Sequence, residues 1–591
     1  MTTDAPLAPP AARSVSRWPR FWRIVAAGLT WLGLAVIVSI YIYLQACIYP
    51  TVYTETDCDA YLILAKRMSA LEPLAQVEPD PYLYQEHMWV ENSRGEVTAK
   101  FAPGYPLVLA IFYRIGGDEA MILASPVMGG LAIIGLFLLA RQWMDPVLAL
   151  LAAATLAINP ALHNYASYFL THATMVCAVV WGMFFLWWWI RRPGVMMGLA
   201  AGLTLGFAGM VRHTGVLLAA AVAWAVVAAW LEARRERRIP AKLEDEHGRA
   251  WDSHGRAWAE NNGAVRSLRL VPIAALLSAY AFMIALLALY NWRLFGSPWT
   301  TGYALSNEQS AFTFAQMLEN LPKVYDGLHS DLTVFVFPLA LVGMVAIGPW
   351  PQALLRLCWF LPIVLVYASY YWLPNNLSGH RFMLEVIPLL IAAAYLVIQR
   401  AAGNRTQRWL AGLVVLAMVA TVDRPRINDM IEGKPHSDSR ASLEAARLAS
   451  DTLTDNAVIF AADPFGHYVA TRRHFQLYDV NAFNRRWGQR RFTDPQHKWS
   501  PRMQPARRAR LDKLYADHSD RDLRAARQAI IRESLAEGRQ VAFLIRADRR
   551  VGQYQAELGP GWTLREMVKW DAKPGEAWGI YEVQAPAAAG R

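Results

Sequence analysis

The sequence predicts a multi-pass α-helical membrane protein that ends in a soluble α/β domain. Three observations carry this prediction. Apolar residues gather in runs of roughly twenty, the helix length that crosses a hydrocarbon core. Those runs stop near residue 422 and give way to shorter, strand-length runs. Arg concentrates in alternate connecting segments, as cytoplasmic loops require. The 591 residues are 55% hydrophobic, with a mean hydropathy of +0.19. Trp (24) and Tyr (24) are abundant, as suits side chains that settle at membrane interfaces. The loop arginines also account for the net charge of +11, so nucleic acid is not an expected partner.

The chain opens with Arg13, Arg17, Arg20 and Arg23 before an apolar run of about twenty-five residues, too long for a signal-peptide core, and no small-residue cleavage site follows. It reads as a first membrane helix starting on the cytoplasmic side. Further spans are expected near 121–140, 147–162, 173–190, 195–211, 214–231, 270–290, 333–348, 354–372, 382–398 and 409–422, with the first at 22–46. About eleven spans place the two chain ends on opposite sides. The cytoplasmic loops then hold Arg141, Arg191, Arg192, the Arg234–Arg238 cluster, Arg356, Arg400, Arg405 and Arg408. Shifting the register by one span would put the Arg234–Arg238 cluster outside, against the positive-inside rule. The short runs 147–162 and 333–348 leave a range of ten to twelve spans. Segments 47–120, 163–172, 291–332 and 373–381 open onto the outer face. The long inner loop 232–269 repeats His247-Gly248-Arg249-Ala250-Trp251 as His254-Gly255-Arg256-Ala257-Trp258. With no Cys or carboxylate pattern framing these histidines, they read as a local duplication rather than a metal site.

The membrane module is therefore residues 1–422, and residues 423–591 form an extracytoplasmic α/β domain. Strands are expected at 457–462, 475–480, 540–545 and 579–583, with amphipathic helices around 440–452, 505–516 and 521–537. An Arg-rich part (Arg485, Arg486, Arg490, Arg491, Arg507, Arg508) reads first as a solvated charged face and second as a cradle for an anionic glycan or lipid head group. Cys177 and Cys358 lie in or near apolar runs and read as buried thiols. Cys47 and Cys58 are close in sequence, but a disulfide between them is the less favoured reading.

Chemistry is concentrated just beyond the first span, in Thr54-Glu55-Thr56-Asp57-Cys58-Asp59-Ala60-Tyr61 and in Lys100-Phe101-Ala102-Pro103-Gly104-Tyr105-Pro106. Carboxylates beside a bilayer are costly unless solvated, paired or used. Asp59 is the better placed of the two to cap a helix starting near Ala60. Pro103 to Pro106 shape the start of a helix lying on the membrane surface. Asp57, Asp59, Glu86 and His87 share a loop that a divalent ion could enter. The spacing forms no ligand motif, and no metal or other cofactor is assigned.

This ordered set resembles the GT-C superfamily of membrane glycosyltransferases, which includes protein O-mannosyltransferases and the aminoarabinose transferases that modify lipid A. The resemblance spans roughly residues 20–400. It rests on Asp57 and Tyr61 with Ala65, on the 100–106 segment, on Tyr290-Asn291-Trp292-Arg293-Leu294-Phe295-Gly296-Ser297-Pro298 with Gly302-Tyr303, and on Ser378-Gly379-His380-Arg381-Phe382 with Pro388. It implies a GT-C-like fold and a polyprenyl-phosphate sugar donor held with its tail in membrane lipid. The acceptor would be a lipid, glycan or protein, and transfer of a hexose or pentose would invert the anomeric centre at the outer face of the cytoplasmic membrane. The base role falls on Asp57, with Asp59 as runner-up. Cations suited to the departing phosphate are Arg381, Lys100, Arg212 and Arg293. Tyr61, Tyr105, His172 and His380 are candidate substrate contacts. Each also has a structural reading, as interface aromatic, snorkelling arginine or helix-start histidine. A transporter or lipid-linked-sugar flippase is the main alternative, but the half-repeats and mid-membrane charges of that class are not evident. A glycan ligase or polymerase would share the membrane face and lipid substrate without the early Asp loop.

Overall fold

The computed structural model describes residues 20–48, 56–84, 87–238, 270–348, 350–371, 373, 381–433, 438–461, 476–494, 502–573 and 575–586. Arg13, Arg17, Glu86, His380 and the duplicated segment 247–258 lie outside the described residues.

The membrane part is built from helices α1 (Arg20–Ile48), α2 (Thr56–Ala70), α3 (Gly104–Ile122), α4 (Ala124–Ala140), α5 (Pro146–Ala157), α6 (Pro160–Ala166), α7 (His172–Arg191), α8 (Val195–Val211), α9 (Ala219–Arg238), α10 (Leu270–Phe295), α11 (Phe314–Val345), α12 (Trp350–Ala368), α13 (Ile387–Ala401) and α14 (Arg405–Gly433). Among the described residues, six stretches are long and apolar enough to cross a bilayer: Ala27–Ile48, His172–Arg191, His213–Leu231, Leu270–Phe295, Phe314–Val345 and Trp350–Ala368. Two bent pairs, α3 with α4 at 94° and α5 with α6 at 56°, raise the number to eight if each pair is one span. Helices α8 and α13 are shorter and apolar. Each sequence-predicted span falls on one of these helices or on α14. Leu29, Leu32, Val36 and Ile40 of α1 point outward and exposed, as a lipid-facing surface should.

Two predicted spans differ in detail, for local reasons. The 147–162 run is broken because Asn159-Pro160 restarts the helix. The Asn159 side chain caps the Leu162 N–H at 3.0 Å, and a residue before proline resists the helical conformation. The 333–348 run is the second half of α11. Its first half is an amphipathic helix, and the join is Thr333, at φ 65°. The two interruptions meet, since the Asn159 amide donates to the Asp331 carbonyl at 2.9 Å.

The segment after α2 folds into a small antiparallel sheet, in order β1 (Gln76–Val77), β3 (Glu96–Ala99), β2 (Trp89–Glu91). Its turn is set by Asn92, whose side-chain oxygen accepts from the backbone N–H of Arg94 and of Glu96 at 2.9 and 3.0 Å. Sequence reading had no strand here, because three such short strands carry no usable periodicity.

Beyond α14, α15 (Asp438–Thr452) leads into a five-stranded sheet in order β5-β4-β6-β8-β7. Strands β4 (Val458–Ala461), β5 (Gln476–Asp479) and β6 (Val541–Arg546) run parallel; β8 (Glu576–Gln584) and β7 (Thr563–Lys573) add antiparallel. Helices α16 (Arg485–Phe492), α17 (Pro505–Asp517), α18 (Asp520–Ala536) and α19 (Arg549–Leu558) complete it. Alternate residues split between two cores. Val458 and Phe460 pack with Tyr478 and Phe543 on one side, while Ile459 and Ala461 pack with Ala445 and Leu544 on the other. That is why the parallel strands read as continuous apolar runs. Tyr82 and Leu83, from the segment between α2 and α3, belong to the first of these cores.

Candidate functional site

Helix α2 begins at Thr56, four residues earlier than expected. Asp57 and Asp59 therefore both sit in its first turn, where the exposed N–H groups favour negative charge; Asp59 is not the cap. Asp57 is half-buried and faces a cavity of about 330 Å³. One turn on, Tyr61 also lines the cavity. Its ring stacks on Phe101 with centroids 4.1 Å apart and meets Tyr105 edge-on at 5.2 Å. Burial pushes the Tyr61 phenol well above its ordinary range, and the Asp57 carboxylate adds to this.

Lys100 follows β3 directly, and its N–H donates to the Met88 carbonyl at 3.0 Å, so strand pairing fixes its start. The backbone of Lys100 also lies against Gly302, where an added Cβ would come within 2.3 Å of the Lys100 Cα. Gly104 is a second obligatory glycine: a Cβ there would meet Val211 N at 2.6 Å. This close approach docks α3 on the end of α8 and brings Arg212 beside the segment that leads into α3.

Among the described residues, four cations line the cavity: Lys100, Arg212, Arg381 and Arg502. Lys100 is paired with Glu308, whose other oxygen accepts from the Tyr370 hydroxyl at 3.4 Å. Arg212 Nη1 donates to Thr171 Oγ1 at 3.1 Å and reaches the His172 ring, 3.1 Å from Nδ1. Arg212 Nε lies 3.4 Å from Glu385 Oε1, and its guanidinium sits 5.4 Å and 5.5 Å from the Tyr367 and Phe382 ring centroids. Arg381, buried, lies over Phe382 at 5.1 Å. Arg502 arrives from the region after the fourteenth helix, donates to the Tyr371 hydroxyl and lies 5.3 Å over that ring. The cavity thus combines two acids, Asp57 and the Lys100-paired Glu308, with more positive than negative charge, under aromatic walls from Tyr303, Tyr367 and Tyr370.

Of the residues singled out from sequence, Asp57, Tyr61, Lys100, His172, Arg212 and Arg381 converge on this cavity. Asp59 does not line it. Tyr105 is fully buried behind Tyr61, its hydroxyl 2.8 Å from Ser125 Oγ. Arg293 lines a separate, smaller pocket of about 160 Å³ with Arg94 and Trp292. Sequence reading missed Glu308, His213, Tyr367, Tyr370, Glu385 and Arg502. Glu385, four residues after Arg381, was within reach of inspection; Arg502 carried no signal. Of the Arg-rich set, Arg507 is buried and donates to the carbonyls of Leu83 and Tyr84, so it holds the segment between α2 and α3. The four cysteines are free thiols. Among the described residues, no three His, Cys, Asp or Glu side chains converge as a metal site would require.

Residues 100–241 match the family model described as dolichyl-phosphate-mannose-protein mannosyltransferase. No curated protein matches the chain in sequence. Among solved structures, ArnT from Cupriavidus metallidurans bound to undecaprenyl phosphate is similar at a TM-score of 0.53 and 13% identity, over 95% of this chain and 99% of that chain. The same protein in the apo state gives 0.51 and 14%, over 94% and 98%. The likeness spans both chains nearly end to end, so the fold is GT-C-like from the first helix through the C-terminal sheet.

Proposed function

We propose that this multi-pass membrane protein of GT-C fold is a glycosyltransferase moving a hexose or pentose from a polyprenyl-phosphate donor to a lipid, glycan or protein acceptor at the outer face of the membrane. The observation that carries the reading is the convergence of Asp57 with Lys100, Arg212 and Arg381 on one cavity. Support comes also from the matched family model, whose description names a dolichyl-phosphate sugar, and from a fold neighbour that holds undecaprenyl phosphate.

In this mechanism the acceptor hydroxyl attacks the anomeric carbon from the side opposite the phosphate. A new carbon–oxygen bond forms as the bond to the phosphate oxygen breaks, which inverts the centre. The hydroxyl proton passes to the Asp57 carboxylate, because a sugar hydroxyl is a poor nucleophile until a positioned base removes its proton. The departing lipid phosphate gains charge in the transition state. Arg212 and Arg381 offer forked donors to it, and Lys100, aimed by Glu308, adds a point charge. The aromatic walls suit the faces of a sugar ring. Residues 423–591 are read as an extracytoplasmic domain that roofs the cavity and contributes Arg502.

Purified Asp57→Asn protein, supplied with polyprenyl-phosphate sugars, should lose transfer by about 10²–10⁴-fold while still binding undecaprenyl phosphate. Wild-type rates in that variant would remove Asp57 from the mechanism.

A further inference from the structure

Glu385 does not line the cavity, yet it is fully buried directly behind a residue that does. It stands in the turn between Arg381–Met383 and α13, so one short segment supplies both Arg381 and the carboxylate that meets Arg212. Its backbone is held by the Trp359 indole N–H, which donates to the Glu385 carbonyl at 3.2 Å. Its side chain accepts from the Tyr367 hydroxyl at 3.2 Å, and Tyr367 is itself 2.8 Å from Thr214 Oγ1. Nε and Nη1 of Arg212 are thus engaged by Glu385, Thr171 and His172, and the plane of the guanidinium lies over two rings. Arg212, held in this way, itself lines the cavity.

A buried ion pair contributes little net stability, because desolvation offsets the attraction. A carboxylate beside a phosphate-binding cation also weakens the attraction for phosphate. The pair makes sense as geometry instead: a long, flexible arginine stem binds an oxyanion well only when its fork is held in place beforehand. We infer that Glu385 is a positioning residue, orienting the Arg212 guanidinium toward the phosphate of the lipid. The inference deepens the transferase reading and rests on it for the identity of that phosphate.

The two physical effects of Glu385 have opposite signs, which makes the assignment testable. Undecaprenyl phosphate would be titrated onto wild-type protein, Glu385→Gln, Arg212→Met and the double variant. Positioning predicts that Glu385→Gln weakens binding about fivefold in the wild-type background and by nothing further in the Arg212→Met background. Tyr367→Phe, which keeps the carboxylate and removes one support, should weaken binding about twofold. In sugar transfer, kcat should fall in Glu385→Gln with KM changed far less, as befits a contact that strengthens as the phosphate departs. Unchanged or tighter binding by Glu385→Gln, or an equal loss in both backgrounds, would overturn the inference. Should the coupling hold while the wild-type protein transfers no sugar from any polyprenyl-phosphate donor, the transferase reading fails and the role of Glu385 at a phosphate site stands.

Discussion

Glu385 acts on the cavity without lining it: it is fully buried, and its carboxylate reaches Arg212 and the Tyr367 hydroxyl from behind. At the same scale, Tyr61 and Tyr105 show how alike two residues look in sequence and how differently they act. Tyr61 faces the cavity, while Tyr105 supports it from the core. Which one reached the cavity depended on packing against Phe101 and Ser125, and neither contact is written in the local pattern.

At the scale of elements, the site hangs on close backbone approaches. Gly302 lets a one-turn helix, Gly302–Leu305, lie against the Lys100 backbone, and Gly104 lets α3 meet the end of α8. Gly302→Ala should force this contact apart, destabilising the protein by roughly 1–3 kcal/mol by overpacking and lowering transfer more than an equal destabilisation elsewhere. Thermal unfolding and kcat measured together would check this; an unchanged kcat would separate that contact from the site. The helices themselves were largely legible. Span length and apolar content are properties of a continuous segment, so the runs appeared at the right positions. The breaks at Asn159-Pro160 and Thr333 were not assigned. The first carried a proline signal that the run of Ala and Leu around it obscured, and the second carried none. In the C-terminal sheet, the apolar strands β4, β5, β6 and β8 were visible. Strand β7 was not, because Thr563–Lys573 is an edge strand mixing charged and apolar side chains.

At the scale of the molecule, the segment between α2 and α3 is clamped to the region after α14. Tyr478 donates to Asp80 at 2.6 Å, and Tyr82 stacks on Phe483 at 4.6 Å. The Gln504 side chain exchanges two 2.8 Å hydrogen bonds with the Glu91 backbone, and Arg510 pairs with the Glu91 carboxylate. Arg507 closes the clamp on the Leu83 and Tyr84 carbonyls. Since this loop ends in Lys100, the clamp couples the sheet to the cavity. Arg507→Met strands two carbonyls, costing about 1–3 kcal/mol. It should open residues 72–99 to protease faster than the wild type, with transfer reduced and the helices intact. Equal cleavage rates would show that the clamp does not hold the loop.

The sequence by itself determined what is local in the chain. Twenty-residue apolar runs specified membrane helices, and short buried runs specified strands. The Asp57 and Lys100 segments stood out because charge beside a bilayer has to be explained. Only the tertiary structure decided which charges meet. Arg212, Glu308 and Arg502 join Asp57 at one cavity from far along the chain, with Glu385 behind Arg212, through helix packing and two glycine approaches. It also put Arg293 in another pocket and Tyr105 in the core. The physical reason is that burial and periodicity act over a few turns of chain, whereas the direction of a side chain toward a distant partner is fixed by every contact between them.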